Sequence, residues 1–310
     1  MIKPTPKNKD DFDVLVELAM KEEGYAHMRA VIEKELLHYD LLFALDKQGL
    51  LDQLTFQGGT SLRLCYGSAR FSEDLDFAGG HDFTTSHLID MKSCIETYIG
   101  GRYGLEVLVK EPREMSLEPK YQDIKVDKWQ IAITTSPMRK DLPKQKIKIE
   151  VCNIPAYTTV PRALNINYDF LPDGYSDTLI MTESLDEIMA DKLISLMNTT
   201  RYIRHRDIWD LRWLKQQGAS INKKFIFSKI DDYKITDYPI KLNKMIKNIS
   251  EIVHGESFYH ELSRFIPLNV QERTLKKAKF KDFLVYETQL LLAELKKLFD
   301  GEAPKNEFYI

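Results

Sequence analysis

The stretch TFQGGTSLRLCYGSARFSEDLDFA, residues 55–78, has the most distinctive pattern in the sequence. A short apolar run at 54–57 predicts a strand, and it ends at the pair Gly58 and Gly59. Apolar spacing typical of a helix follows at 60–66. Glycine lets the backbone come close to a ligand, and the first turn of a helix attracts anions. The order strand, glycine pair, helix therefore predicts a site for a phosphate group.

The end of the same stretch alternates acidic and apolar residues, which predicts a strand at 74–78. Successive side chains of a strand point to opposite faces, so Asp74 and Asp76 share one face while Leu75 and Phe77 face a core. Two carboxylates on one face require a positive partner. No lysine or arginine lies between them in the sequence. Paired carboxylates suit a hard divalent cation, so we expect a site for Mg²⁺, with Mn²⁺ as an alternative ion.

The glycine pair and the two residues after it are candidates to bind a triphosphate: Gly58, Gly59, Thr60 and Ser61. The two hydroxyl residues offer side-chain and backbone donors at the positive end of the predicted helix.

A third carboxylate is needed to complete a two-metal site. The segment 145–151 alternates, which places Lys146, Lys148 and Glu150 on one face. Glu150 is therefore the third predicted metal ligand, with a role in activating the acceptor. The alternative is a solvent-facing acid at the end of an edge strand.

The composition is that of a soluble globular protein, with 310 residues, 43% hydrophobic, 29% charged and a net charge of −3. This charge excludes a strongly basic nucleic-acid coat protein. The three cysteines form no CxxC pair and the seven histidines show no zinc-ligand spacing, so we expect reduced thiols and no zinc. No run is long enough to span a membrane and the start of the chain is polar, so we expect a cytoplasmic protein.

The predicted elements indicate an α+β protein: a mixed β-sheet core with flanking helices, residues 1–182, followed by a helical bundle domain, residues 183–310. Two helices are expected within 11–49 and one at 86–98. The predicted strands are 54–57, 74–78, 105–109, 128–134, 145–151 and 178–181. Only helices are predicted after Glu183, at 184–198, 203–216, 222–230, 240–252 and 283–299.

Two blocks carry a resemblance to a known family. They are GGTSLRLCYGSARFSEDLDF at 58–77, and ESLDEIMADKLISLMN at 183–198 followed by RYIRHRDIWDL at 201–211. The sequence resembles the AbiEii/AbiGii abortive-infection toxins, within the nucleotidyltransferase superfamily that has a polymerase-β-like core. This resemblance implies transfer of a nucleoside monophosphate from an NTP to an acceptor such as a tRNA 3′ end. It also implies the role of toxin in a bacterial toxin–antitoxin or phage-defence pair, with a cognate antitoxin.

Helix 184–198 is predicted to contribute to the active-site cleft through Lys192, which falls in the middle of an apolar stripe. One interpretation is that its ammonium group meets a nucleotide phosphate. The other is that the lysine snorkels past the core or pairs with a buried acid.

Asp207 matches the acid that the toxin family links with activity. It is predicted to accept a proton from the attacking hydroxyl or to hold Lys192 in place; the alternative is a first-turn acid that satisfies backbone N–H groups. Arg204 belongs to a basic cluster at 201–212 that is predicted to bind triphosphate or RNA, or else is solvated. A second basic run, 273–281, is a further candidate for RNA contact or an exposed helix face.

Two other functions stay open on the sequence alone. One is a non-catalytic module that senses an NTP, and the other is transfer of the nucleotide to a protein side chain.

Overall fold

A computed structural model of the chain describes residues 11–112, 124–139, 141–172, 174–199 and 201–300. The chain divides into two compact units, Met1–Glu183 and Ser184–Ile310. The prediction that the second of these is a separate helical bundle domain stays a prediction.

The first unit contains a mixed seven-stranded sheet in its described part. Its strands are β1 (Thr55–Gln57), β2 (Leu75–Ala78), β3 (Val107–Lys110), β4 (Val126–Ile133), β5 (Gln145–Cys152), β6 (Val160–Ala163) and β7 (Leu179–Thr182). They are arranged in the order β3-β4-β5-β2-β1-β7-β6. The pairs β2–β5 and β1–β7 are parallel, and the other pairs are antiparallel. Strand β2 therefore lies inside the sheet, between β1 and β5.

The helices of the described part of this unit flank the sheet. They are α1 (Phe12–Ala19), α2 (Arg29–Lys47), α3 (Gly58–Tyr66) and α4 (Met91–Tyr103), with a short 3₁₀ helix at Thr85–Leu88. The two predicted N-terminal helices are confirmed. The helix predicted at 86–98 was misplaced, because the chain makes the 3₁₀ turn first and α4 begins only at Met91.

Strand β6 was not predicted. It has only four residues, one of them Pro161, and its side chains are half-buried or exposed with no alternation. Proline and the absence of an inward-facing row are typical of an edge strand, which is where β6 lies. The residues of β6 adopt a strand because they pair with β7, and their own sequence pattern does not predict it.

Helix α2 is buried over most of its length and carries polar side chains into the core. Glu35 receives two hydrogen bonds from Arg63, at 2.7 and 2.9 Å, and Asp40 accepts one from Tyr103 at 2.8 Å. A buried charge without a partner costs several kcal/mol, so these pairs are what makes the burial of α2 tolerable.

His38 on α2 gives the fold a predicted sensitivity to acid. Its Nε2 lies 3.0 Å from the carbonyl oxygen of Glu73, and burial lowers its pKa to about 4. The folded state thus disfavours protonation of His38. The contribution of neutral His38 to the stability of the fold is therefore complete above the ordinary pKa of about 6.5, and it is lost as the pH falls from there toward 4. We expect His38 to remove about 3 kcal/mol from the free energy of unfolding between pH 7 and pH 4.

The measurement is urea unfolding at both pH values, with His38→Gln as the matched variant. Glutamine keeps an N–H donor for the carbonyl and does not titrate. If the free energy of unfolding fell by the same amount between pH 7 and pH 4 in the wild type and in His38→Gln, the acid sensitivity would not come from His38.

The second unit is helical throughout its described part. Its helices are α5 (Leu185–Asn198), α6 (His205–Gln216), α7 (Lys223–Asp232), α8 (Tyr238–His254), α9 (Glu256–Leu262), α10 (Leu268–Arg273) and α11 (Ala278–Asp300). Helices α9 and α10 were not predicted, because each is about two turns or shorter and shows too few apolar repeats. Among the described residues, no helix combines the length and the apolar character that crossing a membrane requires.

Candidate active site

The turn between β1 and α3 places a glycine directly against the acidic strand. Gly58 has φ of +78°, and a Cβ atom at this position would lie 2.8 Å from Oδ2 of Asp76. A side chain there would be strained and would also collide with the carboxylate. The turn is therefore shaped around Asp76, which explains the first glycine of the pair.

The second glycine is confined on its other side. A Cβ atom on Gly59 would lie 2.5 Å from Nη2 of Arg70 and 2.9 Å from Oγ of Ser72. Arg70 is buried, and its Nη1 donates to the carbonyl of Phe71 at 2.7 Å. The segment before the acidic strand thus packs closely against the glycine turn.

The two hydroxyl residues of the turn are buried and bonded within the protein. Thr60 Oγ1 donates to the carbonyl of Asp74 at 2.5 Å, and Ser61 Oγ donates to the carbonyl of Gly58 at 3.0 Å. The Thr60 side chain therefore fixes the turn to the residue before β2, and the Ser61 side chain holds the turn itself together. What the turn can offer a phosphate is its backbone N–H groups at the N-terminus of α3.

The predicted carboxylates belong to two neighbouring strands of the sheet. Asp76 on β2 is paired in register with Glu150 on the parallel strand β5, and Asp74 directly precedes β2. All three are half-buried, whereas their neighbours Leu75, Phe77, Ile149 and Val151 are buried. Since β5 lies inside the sheet, Glu150 is not on an edge strand.

Positive charge at this face comes from two lysines of adjoining strands. Lys148 Nζ lies 3.4 Å from Asp74 Oδ2, and its backbone N–H donates to Asp74 Oδ1 at 3.2 Å. Lys128 Nζ on β4 lies 2.8 Å from Glu150 Oε1. Burial is the largest single influence on the pKa of Lys148 and lowers it. The negative charges of Asp74 and Glu150 act in the opposite direction and outweigh burial, so that the pKa is raised.

The donor chemistry of these three side chains is of the kind that suits a divalent cation. The set contains only hard oxygen donors of the kind that Mg²⁺ binds, and the glycine turn lies directly against Asp76. The lysine side chains are 40% and 45% exposed, and exposed pairs of this kind contribute only about 0.2–1 kcal/mol. A cation can therefore replace the ammonium groups at small cost.

We expect Gly58→Ala to lower catalysis at least about tenfold, because the new Cβ displaces Asp76 and a shift of about 1 Å at a reacting centre has effects of that size or larger. Gly80→Ala is the matched control, since Gly80 has φ of +77° and nothing within 4 Å of the added carbon. Both variants carry similar backbone strain, and only the first affects the carboxylate. Equal rates of nucleotide transfer in the two variants would contradict this role of Gly58.

In the second unit, Lys192 is buried on α5 and forms ion pairs with two acids of α6. Its Nζ lies 3.0 Å from Asp207 Oδ1 and 2.8 Å from Asp210 Oδ2. Arg204 pairs with the other oxygen of Asp207. Burial opposes ionisation of Asp207, but the charges of Lys192 and Arg204 outweigh it and lower the pKa of that carboxyl.

This geometry favours one of the two roles predicted for Asp207. A carboxylate with a lowered pKa is a weak proton acceptor, and here it holds a lysine in place. Asp207 also lies in the first turn of α6, so the alternative interpretation describes its position correctly as well. Whether Lys192 and Arg204 contact a nucleotide stays a prediction.

Other members of the basic cluster at 201–212 have partners within their unit. His205 and Arg206 both reach Glu261, at 2.8 and 3.3 Å, and Arg212 lies over the ring of Trp209. These contacts are structural. Arg201 is the exposed member of the cluster.

Two lysines form ion pairs with acidic side chains that the sequence did not predict. The contact of Lys128 with Glu150 depends on the register of β4 on β5, and alternation along one strand does not predict this register. Lys229 on α7 is 1% exposed, and its Nζ lies 2.9 Å from Glu187 Oε1 and 2.7 Å from Asp191 Oδ1 on α5. The only local signal for Lys229 is a lysine between apolar residues of an amphipathic helix.

Known proteins resemble the chain in sequence and in fold. The family model of the nucleotidyl transferase AbiEii toxin, type IV toxin–antitoxin system, matches residues 40–296. MenT4, a nucleotidyltransferase toxin from Mycobacterium tuberculosis H37Rv, is 18% identical with a TM-score of 0.53, covering 91% of this chain and 89% of MenT4. JHP933 from Helicobacter pylori is 19% identical with a TM-score of 0.49, covering 87% of this chain and 95% of that protein. A comparison with curated protein sequences gave no match.

The family model covers both of the blocks that carry the resemblance, from the glycine turn and the acidic strand to α5 and α6. The similarity to MenT4 supports the same fold over most of the chain. The chain therefore belongs to the AbiEii family, and it is a nucleotidyltransferase toxin of a type IV toxin–antitoxin system.

Proposed function

We propose that this toxin transfers a nucleoside monophosphate from an NTP to an RNA acceptor, such as a tRNA 3′ end, in a reaction that depends on Mg²⁺. The observation that carries the proposal is the register of β2 on β5, with Asp76 beside Glu150 and Asp74 one residue before the strand. Three oxygen-donor side chains on neighbouring strands, next to a turn that favours glycine, support a site for a metal-bound triphosphate.

In the proposed reaction, an oxygen of the acceptor hydroxyl forms a bond to the α-phosphorus of the NTP. The bond between this phosphorus and the α–β bridging oxygen breaks, and pyrophosphate leaves. Glu150 is proposed to take up the hydroxyl proton or to pass it to water. Its pair with Lys128 is half exposed and can open to allow this.

Asp74 and Asp76 would hold the cation, which when bound neutralises the charge that develops on the phosphate oxygens. Gly58 and Gly59 let the backbone approach the triphosphate, and the N–H groups at the start of α3 would donate to it. Thr60 and Ser61 act by fixing this turn through their bonds to the carbonyls of Asp74 and Gly58. The part assigned to Lys192 and Arg204, contact with nucleotide phosphates, rests on the family resemblance of their motif.

The test is incubation of the protein with each of the four α-³²P-labelled NTPs, Mg²⁺ and total bacterial RNA and protein, with the products resolved on one gel. We expect one NTP to label a band of tRNA size, and EDTA to prevent the labelling. Label in protein instead of RNA would overturn the proposed acceptor. No label from any NTP would overturn the proposed reaction.

A further inference from the structure

A cavity of about 640 Å³ lies within the second unit, bordered by the end of α5, by α8 and by the start of α9. Apolar side chains form part of its wall, among them Leu196, Met197 and Met245. Small-ligand sites in proteins have volumes of about 300–1,000 Å³ and mostly apolar walls with a few polar groups. The cavity has the size and the lining of a binding site, and nothing in the proposed reaction uses it.

The charged side chains at the cavity favour an anion. Arg201, Lys241 and Lys244 contribute three positive charges, against one negative charge from Glu251. Lys241 is held by two contacts of its Nζ, each 2.8 Å, to Asn198 Oδ1 and Asp237 Oδ1. Arg201 and Lys244 are exposed and therefore accessible to a ligand.

An aromatic ring lies among these cations. Tyr202 borders the cavity with 60% of its surface exposed, although a tyrosine gains stability from burial of its ring. Exposed aromatic rings beside positive charges are the means by which proteins bind unpaired bases, with the base on the ring and the phosphates on the cations. The cavity thus offers both parts of a nucleotide site.

The lysines of α8 continue beyond the cavity. Lys241, Lys244 and Lys247 recur every three residues along the helix, and Lys247 is exposed. A row of cations matches the row of phosphates in a nucleic-acid chain better than it matches one free nucleotide.

We propose that this cavity binds an unpaired nucleotide of the RNA acceptor, with its phosphate on Lys244 and Arg201 and its base against Tyr202 and the apolar wall. The proposal rests on the proposed function to the extent that RNA is the acceptor. It assigns the RNA-contacting role to this cavity and not to the basic run at 273–281.

The test measures RNA binding without NTP or metal, so that transfer does not occur. Fluorescence anisotropy of a short fluorescein-labelled single-stranded RNA gives the Kd for the wild type, Lys244→Glu, Tyr202→Ala and Lys279→Glu. Lys279 is an exposed lysine of α11 in the other basic run and serves as the matched control. Thermal unfolding of each variant checks the fold.

We expect Lys244→Glu to raise the Kd about tenfold and to reduce the slope of log Kd against log salt by about 0.7, the loss of one phosphate contact. Tyr202→Ala should raise the Kd at least about fivefold through lost stacking. Lys279→Glu should stay within about twofold of the wild type, since it lies outside the cavity.

Unchanged binding by Lys244→Glu and Tyr202→Ala, or an equal loss in Lys279→Glu, would overturn the proposal. Displacement of the RNA by AMP at the same nucleotide concentration would identify a free-nucleotide site and also overturn it. The proposed function can fail on its own. If no NTP labelled RNA while Lys244→Glu still weakened RNA binding, the proposed reaction would be wrong and the proposed role of the cavity in RNA binding would remain.

Discussion

Asp76→Ala is expected to lower nucleotide transfer by at least about a thousandfold, because metal-ion catalysis supplies several kcal/mol and each 1.4 kcal/mol is a tenfold change in rate. Asp76 occupies the central position of the site, next to Glu150 on one side and in register with Gln57 on the other.

The fold is expected to survive this change. Asp76 is half-buried and shares its face with Asp74 and Glu150, so removal of one carboxylate relieves repulsion between like charges. The initial rate of label incorporation gives the effect on activity, and thermal unfolding gives the effect on stability. Asp177→Ala, at an exposed position of the same unit, is the control and should have the wild-type rate. A fully active Asp76→Ala enzyme would overturn the assignment of the site.

Lys229→Met is expected to lower the free energy of unfolding of the second unit by about 3–5 kcal/mol, the usual cost of removing one partner from a buried ion pair. Lys229 is 1% exposed, and Glu187, one of its two partners, is fully buried. The substitution leaves that carboxylate without the ammonium group. Since whole domains are stable by only about 5–15 kcal/mol, the loss is a large part of the total.

Urea unfolding followed by circular dichroism measures this loss. Lys224→Met, at an exposed position of the same helix, should change stability by less than about 0.5 kcal/mol. The double variant Lys229→Met with Glu187→Gln should recover part of the stability, because the buried charge is then removed. A Lys229→Met protein as stable as Lys224→Met would show that the ion pairs contribute nothing.

The first unit could be predicted well where a local pattern determines the structure. Alternation in β2 and β5 gave the faces of Asp76 and Glu150, and the glycine pair marked the start of α3. These predictions succeed because strand period and turn geometry depend on neighbours in the sequence.

The remaining features depend on contacts between residues far apart in the sequence. Lys229 meets Asp191 across 38 residues, and Lys128 reaches Glu150 only through the register of β4 on β5. Spacing along one helix identified Lys192 as unusual and left its partner open between a phosphate and a buried acid. The structure supplies two acids, Asp207 and Asp210.

Titration of the protein with Mn²⁺, with free Mn²⁺ followed by electron paramagnetic resonance, measures whether Asp74, Asp76 and Glu150 bind a metal. The measurement needs no nucleotide and no acceptor, so it is independent of the identity of either. We predict saturable binding by the wild type and by Asp177→Ala, and loss of that binding in Asp76→Ala. Equal Mn²⁺ binding by the wild type and Asp76→Ala would contradict it.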